Sequence, residues 1–143
     1  MKISELAKAA QCTVETVRYY EKERLLPAPE RTGANYRSYT TSHVERLRFI
    51  RNCRTLDMTH EEIRRLLDLW DRPSDDCGAV DHLLEEHITH VDVRIAELSE
   101  LKQRLGELRQ HCQSGQTVDT CGILQGLASM KTEPRHERHT HLG

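Results

Sequence analysis

The strongest constraint on this chain lies in its second half. No proline interrupts the run from Val80 to Cys112, and apolar residues return every three or four positions: Leu84, Ile88, Val91, Ile95, Leu98, Leu101, Leu105 and Leu108, with Cys112 one step further. This is the spacing of a coiled-coil seam with one irregularity at Leu98–Leu101. A helix of that length is about 50 Å long. Polar on its other faces, it cannot bury its own stripe, and the simplest partner is the same helix of a second copy. The seam predicts a homodimer.

The other 110 or so residues leave room for one further small domain. Aromatic residues are 4% of the 143-residue chain, too few for several independent cores, and no apolar run is long enough to cross a membrane. The amino-terminal MKISELAKAA lacks a hydrophobic stretch with a cleavage site, so a soluble, cytoplasmic protein without a membrane partner is expected. The net charge of −2 conceals an asymmetry: residues 1–54 hold 11 Lys+Arg against 6 Asp+Glu, leaving 10 against 17 for the remainder. A basic third on an acidic remainder fits a module for a polyanion, and equally fits chance segregation on a solvated surface.

Motifs in the first seventy residues bear on that choice. Ile3, Leu6, Ala7 and Ala10 have helical spacing, with Ser4 as a candidate cap. After the break Gln11-Cys12-Thr13, a second helix is expected from Val14, capped by Thr13 and burying Val14 and Val17, so that Arg18 with Tyr19 or Tyr20 projects elsewhere. Two short helices about a tight turn make a helix-turn-helix. Leu25-Leu26-Pro27-Ala28-Pro29 stops the second helix. Arg31-Thr32-Gly33-Ala34-Asn35-Tyr36-Arg37-Ser38-Tyr39 reads as a small hairpin turning at Gly33 and Asn35, its arginines and tyrosines suited to phosphates. Val44, Leu47 and Ile50 mark a third helix. Thr59-His60-Glu61-Glu62 is a capping box opening a fourth, with Ile63, Leu66, Leu67 and Trp70 on one face. Tyr20 and Tyr39 could equally be core aromatics.

Five cysteines and nine histidines raise the possibility of metal binding, and an odd cysteine count argues against a disulfide framework. Cys77 lies in the loop Asp71–Gly78, just before the long helix, and Cys112 at its far end. Thiolate–zinc bonds are only about 2.3 Å, so one chain cannot bring both to one ion. An antiparallel helix pair can: Cys112 and Cys121 of one chain, closing the loop Gln113–Thr120, would meet Cys77 of the partner, giving two equivalent sites per dimer. Taken singly, Cys112 could complete the seam and Cys77 be an incidental loop thiol; the combination favours a sensor. Cys53 falls among apolar residues of the third helix and Cys12 at the turn without cysteine or histidine near it, so neither is expected to be a ligand. His82, Glu86 and His90, spaced four apart, with His87 and the tail residues His136, His139 and His141, are candidates for a second, weaker metal site. They also fit a solvated helix face and a disordered tail.

The string V-E-T-V-R-Y-Y-E-K-E-R-L-L, followed by R-T-G-A-N-Y-R-S-Y, resembles the winged-helix domain of the MerR family over residues 1–70. The wider context, with R-F-I-R-N-C-R-T-L-D-M, D-D-C-G, L-L-E-E-H-I and C-G-I-L-Q-G-L, resembles its cadmium/lead-responsive branch over nearly the whole chain. The resemblance implies a mainly α fold. A winged helix-turn-helix DNA-binding domain with a β-hairpin wing would span 1–70 and a linker carrying Cys77 would span 71–79. A long antiparallel coiled-coil dimerisation helix would cover 80–112, a metal-binding loop and short helix 113–130, and a histidine-containing tail 131–143. It implies a DNA-facing set of Thr13, Glu15, Arg18, Tyr19 and Tyr20 on the second helix and Arg31, Asn35, Tyr36 and Arg37 on the wing. It places Cys77, Cys112 and Cys121 at the ligand positions of metal sensors, where a cysteine at 77 goes with divalent ions. The expected effector is Cd(II) or Pb(II), with Hg(II) or Zn(II) as alternatives. The implied mechanism is a homodimer on a pseudo-palindromic operator inside a promoter, distorting the DNA when metal binds so that RNA polymerase can use it. The rival from another class is a Cys/His-rich metal buffer. An enzyme is not expected, because no nucleophile triad or phosphate-cradling glycine loop is present.

Overall fold

The computed structural model describes residues 1–131. The chain forms two compact units, one spanning Met1–Leu84 and the other beginning at Glu85. Helices α1 (Ile3–Ala9) and α2 (Val14–Lys22) open the first unit, followed by the strands β1 (Glu30–Arg31) and β2 (Arg37–Ser38) and helices α3 (Thr41–Thr55) and α4 (His60–Trp70). The strands pair antiparallel, Glu30 opposite Ser38 and Arg31 opposite Arg37. This is a helix-turn-helix with a two-stranded wing.

Local chemistry explains the element boundaries. The Thr13 hydroxyl accepts from the Thr16 backbone N–H at 3.1 Å and so caps α2. Thr59 caps α4 in the same way, and the Glu62 carboxylate reaches back to the Thr59 N–H at 2.9 Å, completing the expected capping box. For α1 the sequence reading is corrected: Lys2, not Ser4, occupies the cap position, and no side chain caps it. The hairpin turns through Gly33 and Asn35 as expected, with Asn35 in the left-handed region at φ 66°. Asparagine tolerates that region better than most residues.

The core of this unit joins all four helices through Leu6, Val17, Leu25, Leu47, Ile50 and Ile63, each at most 2% exposed. Burying each such side chain contributes about 1.5–3 kcal/mol. Cys53 is part of it, as expected, and Tyr39 and Tyr20 are both buried. Trp70 departs from expectation: 47% exposed, it stacks on Phe49 at 4.7 Å and lies beneath the Arg46 guanidinium, which is itself paired with Asp71. All six Phe, Tyr and Trp residues belong to this unit.

Helix α5 (Gly78–Arg109) is an uninterrupted 32-residue helix, two residues longer at its start and three shorter at its end than the sequence suggests. Its first turns belong to the first unit, where Leu83, rather than the seam residue Leu84, is buried in the core. Of the remaining seam residues Val91 and Leu108 are half-buried, whereas Ile88 and Ile95 are 60% exposed and Leu98, Leu101 and Leu105 about half. After Arg109 the backbone tightens: the N–H groups of His111 and Cys112 bond back three residues, to Leu108 and Arg109. Cys112 therefore lies in a turn beyond the helix and is not the last residue of the stripe. A 3₁₀ turn (Val118–Thr120) and the helix α6 (Gly122–Ser129) follow. Among the described residues, no helix is long and apolar enough to cross a membrane.

Candidate DNA interface and thiolate site

Helix α2 and the wing bound a groove of about 1190 Å³ lined by six cationic side chains, Lys2, Arg18, Lys22, Arg24, Arg31 and Arg37, and one acid, Glu21. Such a concentration of positive charge on one face is what a polyphosphate backbone needs. Glu15, Arg18 and Tyr19 on α2 are exposed, as are Arg31, Asn35 and Tyr36 on the wing, Tyr36 at 73%. Thr13 is exposed but its hydroxyl is committed to Thr16.

Tyr20 requires a correction. Its ring lies in the core at 8% exposure, packed 5.5 Å from the Tyr19 ring, because the helical turn that points Arg18 outward points residue 20 inward. Burial also pushes its hydroxyl pKa up. It supports the recognition helix from behind, and Tyr19 is the aromatic that faces outward.

Three residues to which the sequence reading gave no site role hold this face in shape. The Glu21 carboxylate accepts from Arg37 at 3.2 Å and from the Tyr39 hydroxyl, so it ties α2 to the wing. His60, in the first turn of α4, packs its ring 5.6 Å from Tyr19 and 6.1 Å from Tyr20. Burial lowers the His60 pKa, Arg54 and Arg64 lower it further, and Glu23 opposes them. His43 is the third. Glu21 closes the R-Y-Y-E string and could have been suspected from it; His60 sits in the capping box, where a backbone role masks a side-chain one.

The five cysteines divide into two groups. Cys53 is buried and Cys12 half-buried, and burial pushes both thiols above their ordinary pKa, with Arg51 partly opposing this at Cys12. A buried thiol of raised pKa gives up its proton less readily, which disfavours the thiolate that a metal would bind. Cys77 and Cys112 are exposed and Cys121 partly so. Cys77 immediately precedes α5, its carbonyl accepting from the Asp81 N–H, where the positive end of a long helix favours an anion.

At the other end, the chain folds back tightly. A Cβ on Gly122 would lie 3.1 Å from the His111 Cβ and closer still to the His111 carbonyl oxygen; one on Gly126 would lie 3.3 Å from the rings and methyls of His111 and Leu108. The first turns of α6 thus press on the end of α5 through glycines. Cys112 follows His111 and Cys121 precedes Gly122, so one backbone contact is flanked by both thiols. Spacing alone joined these cysteines in a loop; the glycines that close it carry the signal that sequence reading passed over. Of the remaining candidates, His82 is exposed, Glu86 and His90 are half-buried, and His87 is buried with its ring 6.3 Å from that of His90. His136, His139 and His141 lie outside the described residues.

Comparison with known proteins agrees with this architecture. The model of the MerR HTH family regulatory protein matches residues 1–70, and that of the MerR DNA-binding region matches residues 44–108. A Haemophilus influenzae protein described as an HTH-type transcriptional regulator, a ZntR homolog, is 47% identical over 110 residues, covering 77% of this chain and 82% of that protein. The crystal structure of the regulator PbrR691 from Ralstonia metallidurans in complex with lead(II) superposes with a TM-score of 0.81 at 49% identity, over 89% of this chain and 98% of that one. The mercury(II)-bound MerR of Bacillus megaterium gives 0.72 at 28% identity, over 90% and 99%. The chain belongs to the MerR family of helix-turn-helix transcriptional regulators and is not an enzyme.

Proposed function

We propose that this chain is a metal-responsive transcriptional activator that works as a homodimer on promoter DNA and responds to Cd(II) or Pb(II). The observation that carries the reading is the His111–Gly122 closure, which joins the backbone beside Cys112 to that beside Cys121 beyond one end of a helix whose start carries Cys77. A 32-residue helix is about 48 Å long, so Cys77 cannot join Cys112 and Cys121 of its own chain on one ion. Antiparallel pairing of α5 with its copy would satisfy the exposed seam and supply Cys77 from the partner. Three soft thiolates suit cadmium, lead, mercury or zinc over magnesium or calcium. The likeness to a lead-bound regulator at 49% identity supports lead, cadmium rests on the resemblance of the sequence to the cadmium/lead-responsive branch, and the 47% likeness to a ZntR homolog supports zinc as the second reading.

In this mechanism Arg18 and Tyr19 of α2 enter the major groove of each half-site while Arg31, Tyr36 and Arg37 grip the flanking backbone. Metal locks the Cys112–Cys121 loop against the partner's end of the site and favours the dimer conformation that distorts the promoter for RNA polymerase. That ion must bind the activating conformation more tightly, since equal affinity would shift nothing. A promoter reporter exposed to a panel of metals, with each cysteine changed to serine, tests the reading. Induction by Cd(II) or Pb(II) should be lost for C77S, C112S and C121S and kept for C12S and C53S. Equal loss at Cys12 or Cys53 would overturn the ligand assignment.

A further inference from the structure

His43 is buried at 6% exposure in the first turn of α3, yet it belongs neither to the apolar core nor to the groove. Its imidazole uses both nitrogens. Nδ1 receives the backbone N–H of Thr40 at 3.1 Å and lies 3.1 Å from the Thr40 hydroxyl; Nε2 lies 3.2 Å from the Pro27 carbonyl oxygen. An N–H donated onto Nδ1 makes that nitrogen the acceptor, so Nε2 carries the proton and donates to Pro27. Capping boxes ordinarily place Glu or Gln at this position, where one acceptor suffices. Histidine adds a donor, and that donor is used on a different segment of chain.

The two segments are the two ends of the wing. Pro27 leads into β1 and Thr40 leads out of β2, so a single ring anchored on α3 holds both stems of the hairpin. The link continues to the groove. The Tyr39 ring meets the His43 ring edge-on at 5.2 Å, its hydroxyl donates to Glu21 on α2, and Glu21 accepts from Arg37 on β2. Burial first, and then the bond to Glu21, raise the Tyr39 pKa, which keeps that hydroxyl a donor.

We infer that His43 is a positioning residue of the wing: by accepting from Thr40 and donating to Pro27, its ring helps set the angle at which Arg31 and Arg37 are presented beside α2. The inference rests on the reading that the wing grips the DNA backbone. His43 touches no nucleotide in it; it acts through the two hairpin stems. A two-stranded ladder of four residues has too few hydrogen bonds to fix its own orientation, so an external anchor is needed.

The test uses the full chain and a duplex enriched by that chain from random DNA. His43→Gln offers an acceptor and a donor, whereas His43→Glu offers only acceptors and still completes an ordinary capping box. H43Q should bind close to the parent. H43E should bind about tenfold more weakly, with the slope of log affinity against log salt reduced by about one for the lost phosphate grip. Metal stoichiometry should be unchanged in both. Because H43E also adds charge, both variants are repeated on Arg37→Ala, where the Glu–Gln difference should shrink. Equal affinities for H43E and H43Q, or a difference undiminished on R37A, would overturn the inference while leaving the wing assignment intact. Parent-like affinity and salt slope for R37A alone would instead remove the wing assignment, and the inference with it. Should H43E not fold, the ¹⁵N spectrum of His43 in the parent decides: a ring protonated on Nε2 with a coupling to the Pro27 carbonyl is expected, and protonation on Nδ1 would sink the idea.

Discussion

The two units treat their apolar residues in opposite ways. In the first, helical stripes from α1 to α4 converge on one another, and Leu6, Val17, Leu47, Ile50 and Ile63 lose all contact with solvent within one chain. In the second, Ile88, Ile95, Leu98, Leu101 and Leu105 remain about half exposed along α5, and Leu124 and Leu127 do the same on α6. The amino-acid types are alike; what differs is whether short helices joined by turns can fold onto each other. A single straight helix cannot turn back on itself, and α6 meets its stripe only near Leu108, so most of the stripe is left for another chain. One unit is thus complete at the level of the chain, and the other is complete only as an assembly.

The sharpest way to break this contrast is a matched pair of leucine truncations. Leu47→Ala in the core should cost about 2–5 kcal/mol and lower the melting temperature at every protein concentration. Leu98→Ala on the stripe should instead weaken self-association, so its melting temperature should approach that of the parent as protein concentration rises. Concentration-independent loss for Leu98→Ala, measured by thermal melts at several dilutions, would mean the stripe is buried within one chain.

A smaller effect is expected at the fold-back of α6. Gly122→Ala forces a methyl onto the His111 backbone, and backbone cannot move aside as a long side chain can. Metal affinity should fall by roughly tenfold or more, the penalty seen when groups supporting a ligand set are displaced, with DNA binding by the metal-free protein unchanged. Competition against a chromogenic chelator reads the first and a gel shift the second; unaltered metal affinity would separate the closure from the thiols.

The smallest concerns acid. The folded first unit lowers the His60 pKa, so the unfolded chain takes up a proton there first as pH falls. The stability held at neutral pH is lost as pH drops below the unfolded value of about 6.5 and through the lower folded value. In His60→Gln, melting temperature should fall less steeply between pH 7 and 5 than in the parent; parallel curves would show that other groups carry the acid response.

How much of this was readable in advance follows from the range of the forces involved. The Thr59–Glu62 capping box and the helical period of α5 are local patterns, and each held, whereas α2 stops at Lys22 with Arg24 left-handed, ahead of the two prolines expected to end it. Which way a particular ring faces was not readable at the same level. Tyr19 and Tyr20 are neighbours of one chemical type, and only the packing of the first unit's core, to which Tyr20 belongs, decides that Tyr20 turns inward. Trp70 likewise fits the apolar face of α4 by spacing, yet Phe49 and Arg46 hold it at the surface. The thiol assignments came from spacing and helix length, whereas the glycine contact that closes the loop depends on residues 111 and 122 meeting in space. The bonds of His43 cross 16 positions to Pro27, a separation no local pattern encodes.

The confinement of every Phe, Tyr and Trp ring to the first unit has an optical consequence. Near-ultraviolet dichroism and indole emission of this protein arise from the winged half alone, while the peptide band near 222 nm sums the helices of both units. One unlabelled sample heated in a spectrometer therefore reports the winged half at one wavelength and the whole chain at the other.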